Sequence, residues 1–472
     1  AGHARFDLDA DELGGAEPGP GADAVDSPPV PPGARLVALA APGLDPSNQA
    51  LRGALGTMDR PGAGEGETPE LEGRLDLVGD LTSDAAGELQ PHLALTLRSN
   101  RFRSGPLELA DLEGGLVLTE DVLSSPRVTG TLAGTPVELL EPRFALAPGA
   151  DPDLGEAFFA TRLVAEDLPL DREHLEAFLE PATLDALVQD LGWRGEVDLD
   201  GVDLSLTQPT DGGLRVAVRG RLVPSAMELV LGVPIEVARA EVLLEELVLE
   251  AGRARAWGTT RGLFGAVAGR ELRDAAALFS YVDQRLTIED LDAAFAGGRL
   301  TSPGGEQGLA LALDLVPPHH FAVGVELTGV EAGELLSGAF GGGDTRGRID
   351  AAIRLEGKPG DLLAATGAGW LRIQDARLFS IPVFRELFTQ LGFDATAVFD
   401  SMRTTFALKD GVLDLRELRA RSPLLRLEGA GNLDLDGSLV ADLEVRYSVV
   451  EKLGPLRFFV YWFQNSILRV AV

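Results

Sequence analysis

The residues that could do chemistry in this chain are few and scattered. Five histidines and no cysteine occur in 472 residues. His319 and His320 form the one adjacent histidine pair, in the run Pro317-Pro318-His319-His320. A metal site would need further ligands at helical or hairpin spacing, and none accompanies the pair, so the run reads as a loop. His174 has no second ligand at i+3 or i+4 and reads as a satisfied or solvated histidine. Gly341 to Gly343 are not followed by G-K-[ST], and Asp344 beside them would repel a phosphate.

Carboxylates are abundant, with 74 Asp and Glu. In such a crowd some pair always falls at a glycosidase-like separation, which by itself identifies nothing. Many of the aspartates precede glycine and read as turn formers. No G-x-S-x-G, H-E-x-x-H, EF-hand loop or dinucleotide-binding glycine motif is present. The reading is of no catalytic residues, no metal ligands and no cofactor: a chain that is not an enzyme.

Charge excludes further classes. The net charge of -33 opposes a nucleic-acid partner and opposes docking on anionic lipid through charge. Lysine occurs only at Lys358, Lys409 and Lys452, so arginine carries nearly all the positive charge. With the heavy use of Ala, Gly, Leu and Asp, the acidity reads as compositional habit and solubility rather than a site. Hydrophobic residues make up 45%, enough for a core, which excludes global disorder. No run approaches the ~18–20 apolar residues of a membrane-spanning helix. No signal peptide is visible, and the expectation is of a piece of a longer chain.

What the sequence offers instead is apolar area, and residues 366–447 organise it. Ser380 can cap a helix, Pro382 suits its first turn, and Phe384, Leu387, Phe388 and Leu391 recur at helical spacing before Gly392. The period then drops to two. Phe406 with Leu408, Leu413 with Leu415, Leu425 with Leu427, Leu433 with Leu435, and Leu443 with Val445 alternate with polar neighbours. Lys409-Asp410-Gly411, Arg421-Ser422-Pro423, Gly429-Ala430-Gly431 and Asp436-Gly437 supply turn or short-loop chemistry. This predicts a helix on an antiparallel meander with one apolar face.

The order Gly367, Gly369, Ile373, Asp375, Ala376, Leu378, Phe406, Asp410, Gly411, Ser422, Gly429, Gly431, Asp434 and Gly437 resembles the C-terminal region of AsmA-like proteins of bacterial cell envelopes. Asp-Gly turns are common, and it is the ordered string over about eighty residues that carries the resemblance. The resemblance implies a long, curled β-sheet that carries phospholipid between inner and outer membranes. It also implies residence in the periplasm and an inner-membrane anchor absent from this chain.

The rest of the chain divides as follows. Residues 1–70 hold a partial strand around Phe6 and Leu8 and low-complexity linkers. Residues 71–170 are a first β block, with turns about every ten residues. Residues 171–192 are a helical insertion capped by Asp171, with an apolar face of Leu175, Phe178, Leu179, Leu184, Leu187, Val188 and Leu191. Residues 193–365 are a second β block with short helices. One helix is expected in the second half of 261–282, where Leu272, Ala276 and Phe279 share a face, and another from Glu331 to Phe340. Residues 366–472 form the AsmA-like region, whose aromatic run at 458–463 suits either burial against a further repeat or an interfacial position.

The fold class expected is mainly β: an elongated, curled antiparallel sheet forming a U-shaped apolar groove, with a few short helices. The groove candidates are Phe406, Leu408, Leu413, Leu415, Leu425, Leu427, Leu433, Leu435, Leu443 and Val445, and each could equally be ordinary core. Phe384, Leu387, Phe388 and Leu391 would close the groove or pack on it. The partners expected are phospholipid acyl chains, the inner membrane through the missing anchor, and the outer membrane or one of its proteins. Two other readings stay open: an envelope scaffold that contacts outer-membrane proteins through sheet edges, and a secreted β-solenoid hydrolase.

Overall fold

The computed structural model describes residues 35–44, 70–83, 89–104, 107–119, 122–146, 151–176, 179, 181–207, 214–230, 233–250, 253–304, 308–336, 346–359, 361–376, 399–422, 425–434, 439–447 and 467–471. Among them the chain is mainly β, with 24 strands, antiparallel pairing and only a few short helices. The expected fold class is met in this respect. The helix expected at Ser380 to Gly392 and the aromatic run at 458–463 lie outside the described residues.

Two compact units are formed, one from residues 1–166, 199–218 and 249–251, the other from 167–198, 219–248 and 252–472. The first contains β1 (Arg35–Leu44), β2 (Glu70–Ser83), β3 (Leu89–Ser104), β4 (Leu107–Thr119), β5 (Val122–Ser124), β6 (Arg127–Leu132), β7 (Thr135–Ala145) and most of β8 (Ala157–Pro169). Its ladder runs from β1 through β4, where β5 and β6 both pair with β4 and then with β7. Alternate residues such as Leu95, Leu97, Leu109, Leu116 and Leu139 point to one face and are buried. Phe102, Phe144 and Phe159 close that core, with ring centroids 4.3 Å apart for Phe144 and Phe159.

The strands β9 (Arg194–Thr207), β10 (Arg215–Val230) and β11 (Pro234–Glu250) divide their residues between the units. The second unit continues through β12 (Arg253–Val267), β13 (Arg270–Val282), β14 (Arg285–Phe295), β15 (Gly298–Thr301), β16 (Leu309–Asp314), β17 (Phe321–Glu331), β18 (Arg348–Lys358) and β19 (Asp361–Ala376). It then adds β20 (Phe399–Lys409), β21 (Val412–Arg421), β22 (Leu425–Asp434), β23 (Leu439–Tyr447) and β24 (Ile467–Ala471). From β17 to β24 each strand pairs with the next. The helical insertion is present but broken. It comprises a helix at Arg172–Leu175, a second at Pro181–Asp185 and a π-type turn at Ala186–Asp190. The helix expected from Glu331 to Phe340 is present at Ala332–Leu336, and residues 337–340 lie outside the described residues.

One local device recurs along both units. Asp111 in β4, Glu141 in β7, Asp274 in β13, Asp290 in β14 and Glu417 in β21 have φ of 51°, 50°, 50°, 51° and 51°. Pairing registers shift across them, between Ala110 and Glu113, Leu140 and Arg143, Arg273 and Ala276, Glu289 and Asp292, and Leu415 and Leu418. Each is a bulge: one extra residue that bends the strand and increases its twist. The bulge also changes which residues share a face. On β21 the inner residues are Leu413 and Leu415 before it, and Leu418 and Ala420 after it.

This device overturns one expectation. The second half of 261–282 is strand, not helix. The bulge at Asp274 makes Leu272, Ala275, Ala277, Phe279 and Tyr281 share a face, so the first apolar spacing is three rather than two. A period-two strand with one inserted residue imitates the start of a helical stripe.

Candidate functional site: an apolar sheet face

Directly paired residues of an antiparallel ladder lie on the same face, so the registers map that face residue by residue. In the second unit one row runs Gly258, Phe279, Ile288, Leu311, Val323, Leu355, Gly367, Leu408, Leu413, Leu433 and Leu439, each paired with the next. The row crosses eleven strands, from β12 to β23. At the usual strand spacing it is about 48 Å long, measured along the sheet. A parallel row holds Val325, Ile353, Gly369, Phe406, Leu415, Gly431 and Ala441.

Exposure divides this face into two lanes. Toward one side lie Val330, Ile349, Ile373, Met402, Ala420 and Leu427, all buried and part of one cluster with Leu272, Phe295, Leu418 and Leu443. In the rows just described, Phe279, Ile288, Leu311, Val323, Val325, Ile353, Leu355, Phe406, Leu413, Leu415 and Leu433 are each only half-buried. A buried lane therefore runs beside a half-open one, and both are apolar.

The opposite face is largely polar, although Trp257, Leu278, Trp370 and Val440 stand exposed on it. Arg416 and Asp414 meet at 2.7 Å, and Arg446 and Glu444 at 2.9 Å. Arg299 pairs with Asp292 and Arg273 with Glu271. The hydrogen bond from Arg446 holds the Glu444 carboxyl below its ordinary range, and Arg299 does the same for Asp292. Such exposed pairs contribute little stability, and they mark this face as the solvated one.

The sequence candidates sort cleanly. Leu427 and Leu443 are core, at 3% and 0% exposure, and Leu408 is buried at 8%. Phe406, Leu413, Leu415 and Leu433 lie in the half-open lane. Leu425 and Val445 are placed by backbone pairing alone, opposite Tyr447 and Leu427. Leu435, Phe384, Leu387, Phe388 and Leu391 lie outside the described residues. The pattern did not extend the lane to Phe279, because the Asp274 bulge disguised its strand.

Comparison with protein-family models, with curated proteins and with solved structures finds no match to this chain. The chemistry must therefore be read from the residues. His174 is buried, and its Nδ1 lies 2.7 Å from Oδ1 of Asp171, the residue that caps its helix. Partial burial pushes the Asp171 carboxyl up, but the hydrogen bonds from the His174 ring and backbone outweigh it and hold the group below 3.8. His319 lies in the loop between β16 and β17, as the sequence indicated. Its Nε2 is 2.7 Å from Oδ2 of Asp190, and its Nδ1 faces the Asp314 carbonyl at 3.2 Å. That distant pairing had no signal in the sequence. Among the described residues no group of three or more His, Cys, Asp or Glu could hold a metal ion. Among them also, no helix is long and apolar enough to cross a membrane.

Proposed function

We propose that the chain carries phospholipid without enzymatic chemistry, laying acyl chains on the half-open lane while headgroups stay in solvent. The observation that carries this reading is the apolar row from Phe279 to Leu433, half-buried at every position except the buried Leu408. Moving an acyl chain through water costs about 0.8 kcal/mol per methylene, so a lipid with ~30 methylenes faces roughly 25 kcal/mol. A continuous apolar lane removes most of that cost. The resemblance of residues 366–447 to AsmA-like proteins supports the same reading. On this reading the chain acts in the periplasm, between an inner membrane reached through an anchor and the outer membrane or one of its proteins.

The scaffold reading draws on a different observation. Val330 and Leu443 are fully buried, at 0% exposure, as in a dry core with no room for lipid. Native mass spectrometry with lipid extraction, on chain produced in a Gram-negative envelope, separates the two. Co-purifying phospholipid is expected with the wild type and should fall several-fold in Leu413→Asp and Leu433→Asp, which face each other in the half-open lane. Leu427→Asp is unsuitable, because that side chain is core. A folded, lipid-free wild type overturns the proposal in favour of the scaffold.

A further inference from the structure

Over β13, β16 and β17 the half-open lane is flanked by a more deeply buried row. Ile288, Leu311 and Val323 are half-buried, whereas Tyr281, Leu313 and Phe321, one row nearer the β16–β17 loop, are buried at 9%, 2% and 4% exposure. Tyr281 is the one residue in that row with a hydroxyl, and the hydroxyl lies 3.0 Å from Oγ1 of Thr183, a fully buried residue of the helical insertion. A second polar tie joins the insertion to the same corner, where Asp190 meets His319. Leu184, Ala186 and Leu191 of the insertion are buried as well.

Resting on the lipid-binding reading, we infer that Pro181–Leu191 is a latched plug that covers the row of Tyr281, Leu313 and Phe321 beside the lane, its own apolar side chains occupying ground an acyl chain could take. Helical segments of four and five residues have almost no stability of their own, so packing and the two ties hold the insertion in place. Its roots are separate from those ties. Leu170 N–H donates to the Gly195 carbonyl at 2.8 Å, Val230 N–H donates to the Leu191 carbonyl at 2.8 Å, and Gly192 follows with φ 62°. Breaking Thr183–Tyr281 and Asp190–His319 should therefore loosen the insertion while the strand pairings stay closed. The plug thus sets how much apolar ground beside the lane lipid can fill.

The absence of cysteine makes the test direct. The full chain is prepared as wild type, as an unlatched Thr183→Val/His319→Ala variant, and as an Asp190→Cys/His319→Cys variant bridged by a short bifunctional thiol reagent. Hydrogen exchange and the saturating amount of hexadecanoic acid bearing a terminal nitrobenzoxadiazole are measured on each. Unlatching should speed exchange across 181–191 at least ten-fold with β13 and β14 unchanged, and raise the amount of probe bound. Bridging should lower it below the wild type. Equal probe capacity in all three binding proteins, or exchange of β13 and β14 rising together with the insertion, overturns the plug while leaving the lipid reading intact. No probe bound by any of the three overturns both.

Discussion

The ring of Phe406 on β20 occupies the space where a side chain at Gly369 on β19 would stand. A Cβ there would lie 2.6 Å from the ring Cζ and 2.2 Å from the Ala352 carbonyl oxygen. The two residues are paired, so the glycine is what lets an aromatic ring settle on the sheet in the half-open lane.

Gly369→Ala should therefore destabilise by about 1–3 kcal/mol, as overpacking does, read from urea unfolding. Adding Phe406→Leu should recover only part of the loss, because the clash with Ala352 remains. Gly115→Ala is the control, since nothing lies within 4 Å of its Cβ position. It should be neutral or gain up to about 1 kcal/mol from the stiffer unfolded chain. Equal losses at both sites would show that the ring and carbonyl do not set the cost.

The two lanes should separate in stability as well as in position. Leu427→Ala and Leu443→Ala remove side chains at 3% and 0% exposure, and each should cost about 2–5 kcal/mol. Leu413→Ala and Leu433→Ala remove half-buried ones and should cost less than half as much. Denaturant midpoints at constant slope measure the difference. Similar losses at all four positions would mean that the half-open lane is closed core.

Much of this face was legible in the sequence, because alternation is the physical signature of a sheet with one dry side. The pairs Phe406 with Leu408 and Leu413 with Leu415 gave strands β20 and β21 without help from tertiary contacts. Alternation could not rank the positions: Leu427 and Leu433 lie on one strand and one face, yet only the first is buried. Burial depends on what covers a row, and that lies elsewhere in the chain. The strand at Phe279 was read as helix because a single bulge at Asp274 shifts the period, and the shift is decided by backbone φ. The tie between Asp190 and His319 spans 129 residues, far beyond any local pattern.

Glu417 offers the test of the bulges. It is a non-glycine residue at φ 51°, a conformation that costs roughly 1–2 kcal/mol for an L side chain. Deleting it would remove the inserted residue and leave a regular ladder, with Leu418 and Ala420 still opposite Gly429 and Leu427 on the buried face but without the bend. The deletion should cost less stability than Leu418→Ala, and Glu417→Gly should be neutral or stabilising by up to about 1 kcal/mol. Thermal unfolding of the three variants gives the order. A deletion as costly as Leu418→Ala would show that the bend of the bulge, and not the pairing alone, holds the buried face together.

The cap of the insertion should be sensitive to acid in a defined direction. The Asp171 carboxyl is held below 3.8 in the folded chain because its hydrogen bonds with His174 outweigh the effect of partial burial. A carboxyl lowered on folding contributes stability that is complete above its unfolded value and lost as pH falls through the folded one. Protection of the amides of 172–175 against hydrogen exchange should therefore be level above about pH 5 and decline below about pH 4. Asp171→Asn should lower that protection at the higher pH and flatten the decline, since the amide keeps a carbonyl acceptor but loses the charge. The difference between the two proteins should shrink toward zero as the wild-type carboxyl is protonated. A gap that stays constant down to the lowest pH would assign the cap to shape and hydrogen bonding alone, with no contribution from the ionised carboxylate.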